Sequence, residues 1–247
     1  LLLCGIWLFR PASFIYRLPL LRSRTSAALI LFILLINAAF FAILPRLNTF
    51  LIRPGWSHHY QYAQLAESLA KGRVDLDIAP NKALDQMENP YDTALRSKTV
   101  PGSPWDVAYY KGHYYVYFGI VPELLFYFPY YLLTGAAFPT WVGILLSALA
   151  ALGGAFALMR QIVRRWFPET STGVFLLLSL ILANGVGTIQ MLLCPCFYCL
   201  PVLLAIALSL WGLSFWVRAS AELADTVPSA DRPQHAAVSF AAGSLCM

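Results

Sequence analysis

Long apolar segments are the feature that most constrains this chain. They cover residues 26–44, 139–159, 173–193 and 197–217. Each is close to the roughly 20 residues that a helix needs to cross a hydrocarbon core. Lipid offers the backbone no hydrogen-bond partner, and a helix satisfies its own backbone groups within one segment. The sequence therefore predicts an all-α membrane protein, a polytopic bundle of transmembrane helices.

The composition excludes an ordinary soluble domain. Of the 247 residues 59% are hydrophobic and 12% are charged, whereas soluble domains carry roughly 25% charged residues. The net charge of +5 is dispersed along the flanks of apolar segments, which argues against a nucleic-acid partner. Further apolar blocks, 1–9 and 235–247, are cut by the chain ends and no initiator Met is present, so we expect a piece of a longer protein.

Arginine clusters predict the orientation. One cluster precedes the segment 26–44, and by the positive-inside rule it lies in the cytoplasm. The second follows the segment 139–159 and should lie on the same side. The two clusters are Arg10, Arg17, Arg22 and Arg24, then Arg160, Arg164 and Arg165.

The stretch 114–133 decides whether that orientation is consistent. If it crossed the membrane together with 139–159, the second arginine cluster would face outward. It carries six tyrosines, two prolines and Glu123, and tyrosine favours the membrane interface because its ring is apolar and its hydroxyl needs water. We therefore expect an interfacial or re-entrant helix, with a plain transmembrane hairpin as the alternative.

These patterns divide the chain into three parts. Residues 1–45 form a cytoplasmic linker and the first spans, 46–135 an extracytoplasmic loop with interfacial helices, and 136–247 a truncated transmembrane bundle. Residues 194–199 would form a short outer turn, and 220–234 would be cytoplasmic. The segment 46–113 holds seven of the twelve acidic residues and eight of the seventeen basic ones. Since long loops are usually functional or disordered, and aromatic and turn residues argue against disorder, we expect a folded functional loop.

Local patterns in the loop predict short helices joined by turns. Residues 62–69 have apolar positions at helical spacing, and Gly72 stands where a left-handed residue would end a surface helix. Pro80 is placed to open a second helix that extends to Met87. The sequences 89–92 and 101–104 both predict turns.

A small hairpin is predicted next. Two aromatic-rich runs, 105–110 and 113–118, flank the pair Lys111-Gly112. A two-residue link of this kind between extended runs is typical of a β-hairpin. The hairpin would direct Asp106 and Lys111 toward the membrane surface.

The loop resembles a known superfamily. A surface helix rich in Tyr and Ala that ends in Gly directly after a span resembles the first outer loop of the GT-C glycosyltransferases, which include protein O-mannosyltransferases and the lipid A aminoarabinose transferase. The phrases NPYD at 89–92, WDVAYYKGHYYVYFGIVP at 105–122 and PYYLLTG at 129–135 resemble those of bacterial membrane proteins associated with that superfamily.

The resemblance implies a specific reaction in a bacterial plasma membrane. A sugar would pass from a polyprenyl-phosphate carrier to a glycan, lipid or protein acceptor at the outer face. A loop carboxylate would act as general base, in some members with a divalent cation such as Mg²⁺ or Mn²⁺. A carboxylate can take a proton from an acceptor hydroxyl, and a cation can stabilise the leaving phosphate.

One departure affects the expected base. In the transferases an acidic residue precedes the surface helix, whereas alignment on Tyr62 places His58 and His59 there. Either Asp106 or Asp92 would then be the catalytic residue, or the chain is a relative that has lost or changed the reaction. Each aspartate also has a structural interpretation, Asp106 as a partner of the hairpin backbone and Asp92 as a turn or cap residue.

Other polar and aromatic side chains are candidates for binding the substrate. Arginine can bind phosphate through two hydrogen bonds, lysine can bind it as a point charge, and tyrosines can stack on sugar. The alternatives are contact with lipid headgroups, a packing belt of tyrosines and a solvated histidine pair. The candidates are Arg96, Lys111, Tyr110, Tyr115, His58 and His59.

Two clusters have stronger structural alternatives. Asp75 and Asp77 would face one side of a strand and, with Glu88 or Asp85, could bind a divalent cation, although a solvated edge is the simpler interpretation. The segment 194–199 has three cysteines, two of them at redox-motif spacing. We interpret these as small apolar residues or an incidental disulfide.

A second class of function stays open. A non-enzymatic multi-pass protein, such as a flippase or a component of glycan or lipid export, could carry the same loop for binding alone. Charged groups within the spans would favour a transporter, and the four complete apolar segments contain none.

Overall fold

The computed structural model describes residues 6–20, 23–47, 61–79, 81–100, 104, 106–224 and 232–246. The chain is mostly helical and divides into two compact units, Leu1–Ile52 with Ile144–Met247, and Arg53–Gly143. In chain order the helices are α1 Arg24–Ile43, α2 Gln61–Ala70, α3 Lys82–Asp85, α4 Thr93–Thr99, α5 Phe128–Thr134, α6 Thr140–Trp166, α7 Thr172–Gly185, α8 Thr188–Leu193, α9 Cys199–Ala224 and α10 Arg232–Cys246.

Three helical segments are long and apolar enough to cross a membrane. They are Arg24–Leu47, Thr140–Trp166 and Cys199–Ala221, with 24, 27 and 23 residues. The first is α1 continued by a 3₁₀ turn, Leu44–Leu47. Three of the four segments that the sequence predicts as spans therefore contain a helix long and apolar enough to cross a membrane.

The fourth predicted span, 173–193, is wrong as a continuous helix. Helix α7 ends at Gly185, and α8 begins only at Thr188. Gly187 stands between them with a φ of 85°, a left-handed conformation that breaks the helix. The 14 residues of α7 rise about 21 Å, less than the roughly 30 Å of a hydrocarbon core.

Polar side chains tie the start of α7 to the start of α1. The Thr172 hydroxyl donates to the Ser26 hydroxyl oxygen at 2.8 Å and lies 3.1 Å from the Leu18 carbonyl oxygen. The Ser26 hydroxyl in turn donates to the Pro19 carbonyl oxygen at 3.1 Å. Because each of these buried hydroxyls has a partner, the hydrogen bonds offset the cost of removing the hydroxyls from water.

Helices α9 and α10 pack closely along each other. Gly243 of α10 faces Trp216 of α9, and a Cβ atom at Gly243 would overlap the Trp216 ring and lie 2.9 Å from the Gly212 carbonyl oxygen. The absence of a side chain at this glycine therefore sets the distance between the two helices.

The second unit has its own core beneath a hairpin. Strands β1, Ala108–Tyr110, and β2, His113–Tyr115, pair antiparallel, and Lys111 and Gly112 have φ values of 47° and 80°, as a type I′ turn requires. The predicted hairpin is confirmed. Its core residues are Leu65, Leu76, Leu84, Val100, Val107, Tyr109 and Tyr114.

The short helices of this unit differ in part from the prediction. Helix α2 and a left-handed Gly72 are present as expected. The predicted helix from Pro80 to Met87 is too long, because Asn81 caps α3 at the Ala83 N–H and only Lys82–Asp85 are helical. Pro80 lies outside the described residues, as does most of the predicted turn 101–104. Helix α4 was not predicted.

The stretch 114–133 provides no full-length span. Helical structure begins at residue 121, widens into a π-helical turn at Glu123–Tyr127 and continues as α5. Fourteen helical residues rise about 21 Å. Pro129, which cannot donate an N–H to a preceding carbonyl, follows the wide turn directly. The expectation that this stretch does not cross as a helix agrees with its length.

Candidate functional site

The exposed face of the hairpin groups three of the candidate residues. Tyr110 pairs with His113 and Ala108 pairs with Tyr115, and directly paired residues of antiparallel strands share a face. This face is opposite to the buried Tyr109 and Tyr114. Lys111 stands at the turn, with its Nζ atom 5.1 Å from the centre of the Tyr110 ring. The arrangement presents an aromatic surface beside one cation.

Asp106 lies at the other end of the hairpin. It is opposite Tyr117 in the continued register of the two strands, and the Tyr117 hydroxyl donates to Asp106 Oδ1 at 3.4 Å. Asp106 has a φ of 56°, an uncommon conformation for a residue with a side chain and one that is frequent at functional sites. The carboxylate is partly exposed, so it is accessible to a substrate hydroxyl. Burial and then the Asp106 charge raise the pKa of Tyr117.

Asp92 has a defined structural role. Its Oδ1 accepts from the N–H groups of Ala94 and Leu95, both at 3.0 Å, and it thereby caps α4. Asn89 Oδ1 accepts from the Tyr91 N–H in the preceding turn, as the sequence predicts. These contacts favour the cap interpretation of Asp92 over a catalytic one.

Arg96 also holds backbone. Its Nη2 atom donates to the Pro104 carbonyl oxygen at 2.8 Å, so α4 is connected to the segment that leads into Asp106. The other two candidates, His58 and His59, lie outside the described residues.

The acidic residues near α2 are paired with cations. Asp77 contacts Lys71 at 3.0 Å and Arg73 at 3.2 Å. Asp75 contacts Arg73 and lies 2.9 Å from His113 Nδ1. Hydrogen bonds from Arg73 hold the pKa of Asp75 well below its usual range. These contacts correspond to the solvated edge that the sequence allows.

A divalent cation does not fit the acidic residues of the described segments. No three His, Cys, Asp or Glu side chains come together there in a way that could hold a metal ion. Asp75 and Asp77 are paired with basic side chains. Asp85 accepts a hydrogen bond from the Tyr109 hydroxyl. No catalytic step is therefore derived through a metal.

Glu123 is a residue that sequence reasoning did not single out. Its exposed fraction is 0%, and neither carboxyl oxygen has a hydrogen-bond partner among the described residues. Burial raises its pKa to about 8, so the group is protonated at neutral pH. It lies near Tyr62 and Tyr127, whose ring centres are 5.2 Å apart. The signal that could have identified it in the sequence is a single acidic residue within an apolar stretch.

Two cavities lie in the first unit. One of about 410 Å³ is lined by apolar side chains of α1, α6 and α7 together with Arg160 and Ser23. The other, of about 510 Å³, is almost wholly apolar apart from Asn37. Their lining residues include none of the predicted site residues.

Comparison with other proteins adds no assignment: no family model, curated protein or solved structure matches the chain. The function must therefore be argued from the residues themselves. Of the predicted residues, the hairpin brings Tyr110, Lys111 and Tyr115 onto one element with Asp106 at its base, and Asp92 and Arg96 belong to the neighbouring α4.

Proposed function

We propose that the chain is part of a GT-C-like membrane glycosyltransferase. It would move a sugar from a polyprenyl-phosphate carrier to a glycan, lipid or protein acceptor at the outer face of a bacterial plasma membrane. The observation that carries the proposal is a compact unit, Arg53–Gly143, that follows one candidate span in sequence and ends as the next begins. On its described surface this unit presents an accessible carboxylate, a cation and aromatic rings.

Asp106 is the preferred base. It is partly exposed, and its Oδ1 accepts a 3.4 Å hydrogen bond from the hydroxyl of the exposed Tyr117. Asp92 instead uses its carboxylate to cap α4. In the proposed step the Asp106 carboxylate takes the proton of an acceptor hydroxyl while that oxygen attacks the anomeric carbon and the lipid phosphate leaves.

The hairpin separates the base from the cation. Asp106 and Lys111 lie at opposite ends of the hairpin, five residues apart, which is roughly 17 Å along an extended strand. Two groups this far apart cannot both contact the atoms of one glycosidic bond. We therefore assign Lys111, Tyr110 and Tyr115 to a more distant part of the donor or acceptor, where a point charge and aromatic faces can bind phosphate or sugar. Arg96 becomes a positioning residue, through its bond to Pro104.

The arginines support the orientation that this reaction needs. Arg24 begins the first candidate span, while Arg164 and Arg165 lie in the last turn of α6, at the far end of the second. If both ends lie in the cytoplasm, the positive-inside rule is obeyed and the unit between the spans is outside.

Two substitutions in the full-length protein test the base. Glycan transfer is measured in membranes with a polyprenyl-phosphate sugar donor. Asp106→Asn should lower the rate by about 10²-fold to 10⁴-fold, the usual contribution of a general base. Asp92→Asn should leave it unchanged, since Asn caps helices as well as Asp does.

Each failure has a distinct meaning. If Asp106→Asn keeps the parent's rate, the base assignment is wrong. If the parent transfers no sugar from any donor but still binds glycan or lipid carrier, the export or flippase alternative replaces the transferase. Labelling of single cysteines placed at Lys98 and Arg164 checks the orientation, and labelling of both from one side of the membrane contradicts it.

A further inference from the structure

The link between α8 and α9 contains a pair of cysteines in contact. Cys194 ends α8, where its N–H donates to the Gln190 carbonyl oxygen. Cys199 is the first residue of α9, and its N–H donates to the Cys196 carbonyl oxygen at 3.0 Å. This turn places the Sγ atoms of Cys196 and Cys199 2.8 Å apart.

The two thiols are available for chemistry. Both are free and partly exposed. A disulfide bond is about 2.05 Å long, so a small movement of the side chains brings the two sulfurs to bonding distance. Cys194 differs, because its Sγ accepts from the Gln190 side chain at 3.7 Å.

The contact also favours a reactive thiolate. The hydrogen bond with Cys199 lowers the pKa of Cys196 below its usual value, and a thiolate is the form that attacks disulfides. Two residues between the cysteines is the spacing of redox-active pairs. Within the described segments no third metal-ligating side chain joins them, so a metal site does not account for the pair.

We propose that Cys196 and Cys199 form a redox-active dithiol that exchanges with a low-molecular-weight disulfide of the glutathione class. The Cys196 thiolate attacks one sulfur of the external disulfide, and the first external thiolate leaves. The Cys199 thiol then loses its proton and attacks Cys196 Sγ, and the second external thiolate leaves. The cysteine pair is oxidised, the external disulfide is reduced to two thiols, and the two cysteine protons end on the released thiolates. This inference does not depend on sugar transfer.

The experiment uses the whole chain in membranes. The protein is incubated with oxidised or reduced glutathione, free thiols are alkylated with a maleimide, and the digested peptides are mapped by mass spectrometry. Oxidation should remove two alkylation sites, join Cys196 to Cys199, and be reversed by dithiothreitol. A Cys194→Ser variant is the matched control and should behave like the parent.

Single-cysteine variants test the order of attack. Cys199→Ser should accumulate a glutathione adduct on Cys196, because the second thiol is missing. Cys196→Ser should carry less adduct on Cys199. A disulfide that involves Cys194, an absence of the Cys196–Cys199 bond under oxidised glutathione, or an adduct found only on Cys199 overturns the proposal.

Discussion

The two units of this chain are folded for different surroundings. In the unit with the candidate spans, α1 exposes large apolar side chains such as Leu31, Phe32 and Leu35. In the Arg53–Gly143 unit, charged residues lie on the surface and tyrosines lie in the core, although Leu132 and Leu133 of α5 are also exposed. An apolar exterior suits lipid, and a charged exterior over an apolar core suits water. This contrast indicates that the long loop is a small domain and not only a connector.

The units also satisfy buried polar groups differently. In the first, hydroxyls bond across helix ends, as Thr172 does with Ser26. In the second, tyrosine rings fill the core while their hydroxyls bond backbone, as Tyr62 does with the Gly119 carbonyl oxygen at 3.0 Å. Glu123 is one of several exceptions, since its carboxyl has no such partner among the described residues.

A substitution that disrupts the aromatic core of the loop unit should have the greatest effect. Tyr114 is 1% exposed, and its ring packs at a tilt against the ring of Tyr109. Tyr114→Ala should therefore lower the free energy of unfolding by about 3–5 kcal/mol. Tyr110 is 58% exposed on the same hairpin. The matched control Tyr110→Ala should therefore cost about 0.5 kcal/mol or less. Limited proteolysis of membranes reports both. Equal protection of the two variants would mean that the loop has no such core.

A second comparison concerns pH. The pKa of Glu123 is about 8 in the folded unit against its usual 4.5. The folded unit therefore binds more protons than the unfolded chain between these values, and its stability falls as the pH rises from about 4.5 to about 8. The slope is at most about 1.4 kcal/mol per pH unit. In limited proteolysis at pH 5 and pH 9, the Glu123→Gln variant should not show this loss of stability.

The control for this experiment is an exposed acid of the same unit. Glu67 lies on the surface of α2, and Glu67→Gln should keep the parent's pH dependence. If Glu123→Gln keeps it as well, the carboxyl is solvated or paired in the protein.

The third prediction tests the packing of the other unit. Gly243→Ala places a methyl group against Trp216 and should cost about 1–3 kcal/mol through overpacking. Gly185→Ala is the control, since a Cβ there would lie at an ordinary contact distance, 3.9 Å, from the Ile181 side chain. Thermal unfolding in detergent should separate the two variants. A stable Gly243→Ala would show that α9 and α10 do not approach this closely.

The smallest effect is expected at the cap of α4. Asp92→Ala removes the acceptor for two N–H groups and should cost about 1 kcal/mol, whereas Asp92→Asn should cost almost nothing. Hydrogen exchange of the Ala94 and Leu95 amides measures the difference. Equal exchange in the two variants would contradict the cap role.

Sequence patterns were sufficient where one local rule decides the structure. Hydropathy and length located three candidate spans, and the two-residue link Lys111-Gly112 between aromatic-rich runs predicted the hairpin. The pattern failed at 173–193, where hydropathy is continuous but Gly187 interrupts the helix. It missed α4, because Asp92 suits a turn and a helix N-cap equally and the sequence did not decide between them.

The candidate site was less predictable for a physical reason. Asp92 and Asp106 have the same chemistry in the sequence, and only their contacts separate a cap from an accessible carboxylate. Glu123 is buried by packing between segments far apart in the chain, beside Tyr62. The contact between Cys196 and Cys199 likewise depends on the turn that begins α9. Such properties arise from tertiary structure, and the local signals, an acid in an apolar stretch and the spacing of two cysteines, do not determine them.

The core of the loop unit has a consequence for biosynthesis. Its buried residues run from Leu65 to Tyr114, and a backbone bond from the Leu76 N–H to the Tyr114 carbonyl oxygen joins early and late parts. All of them leave the ribosome before α6 does. Because domains can fold while the chain is still growing, this unit can be complete before the next apolar helix is available for insertion.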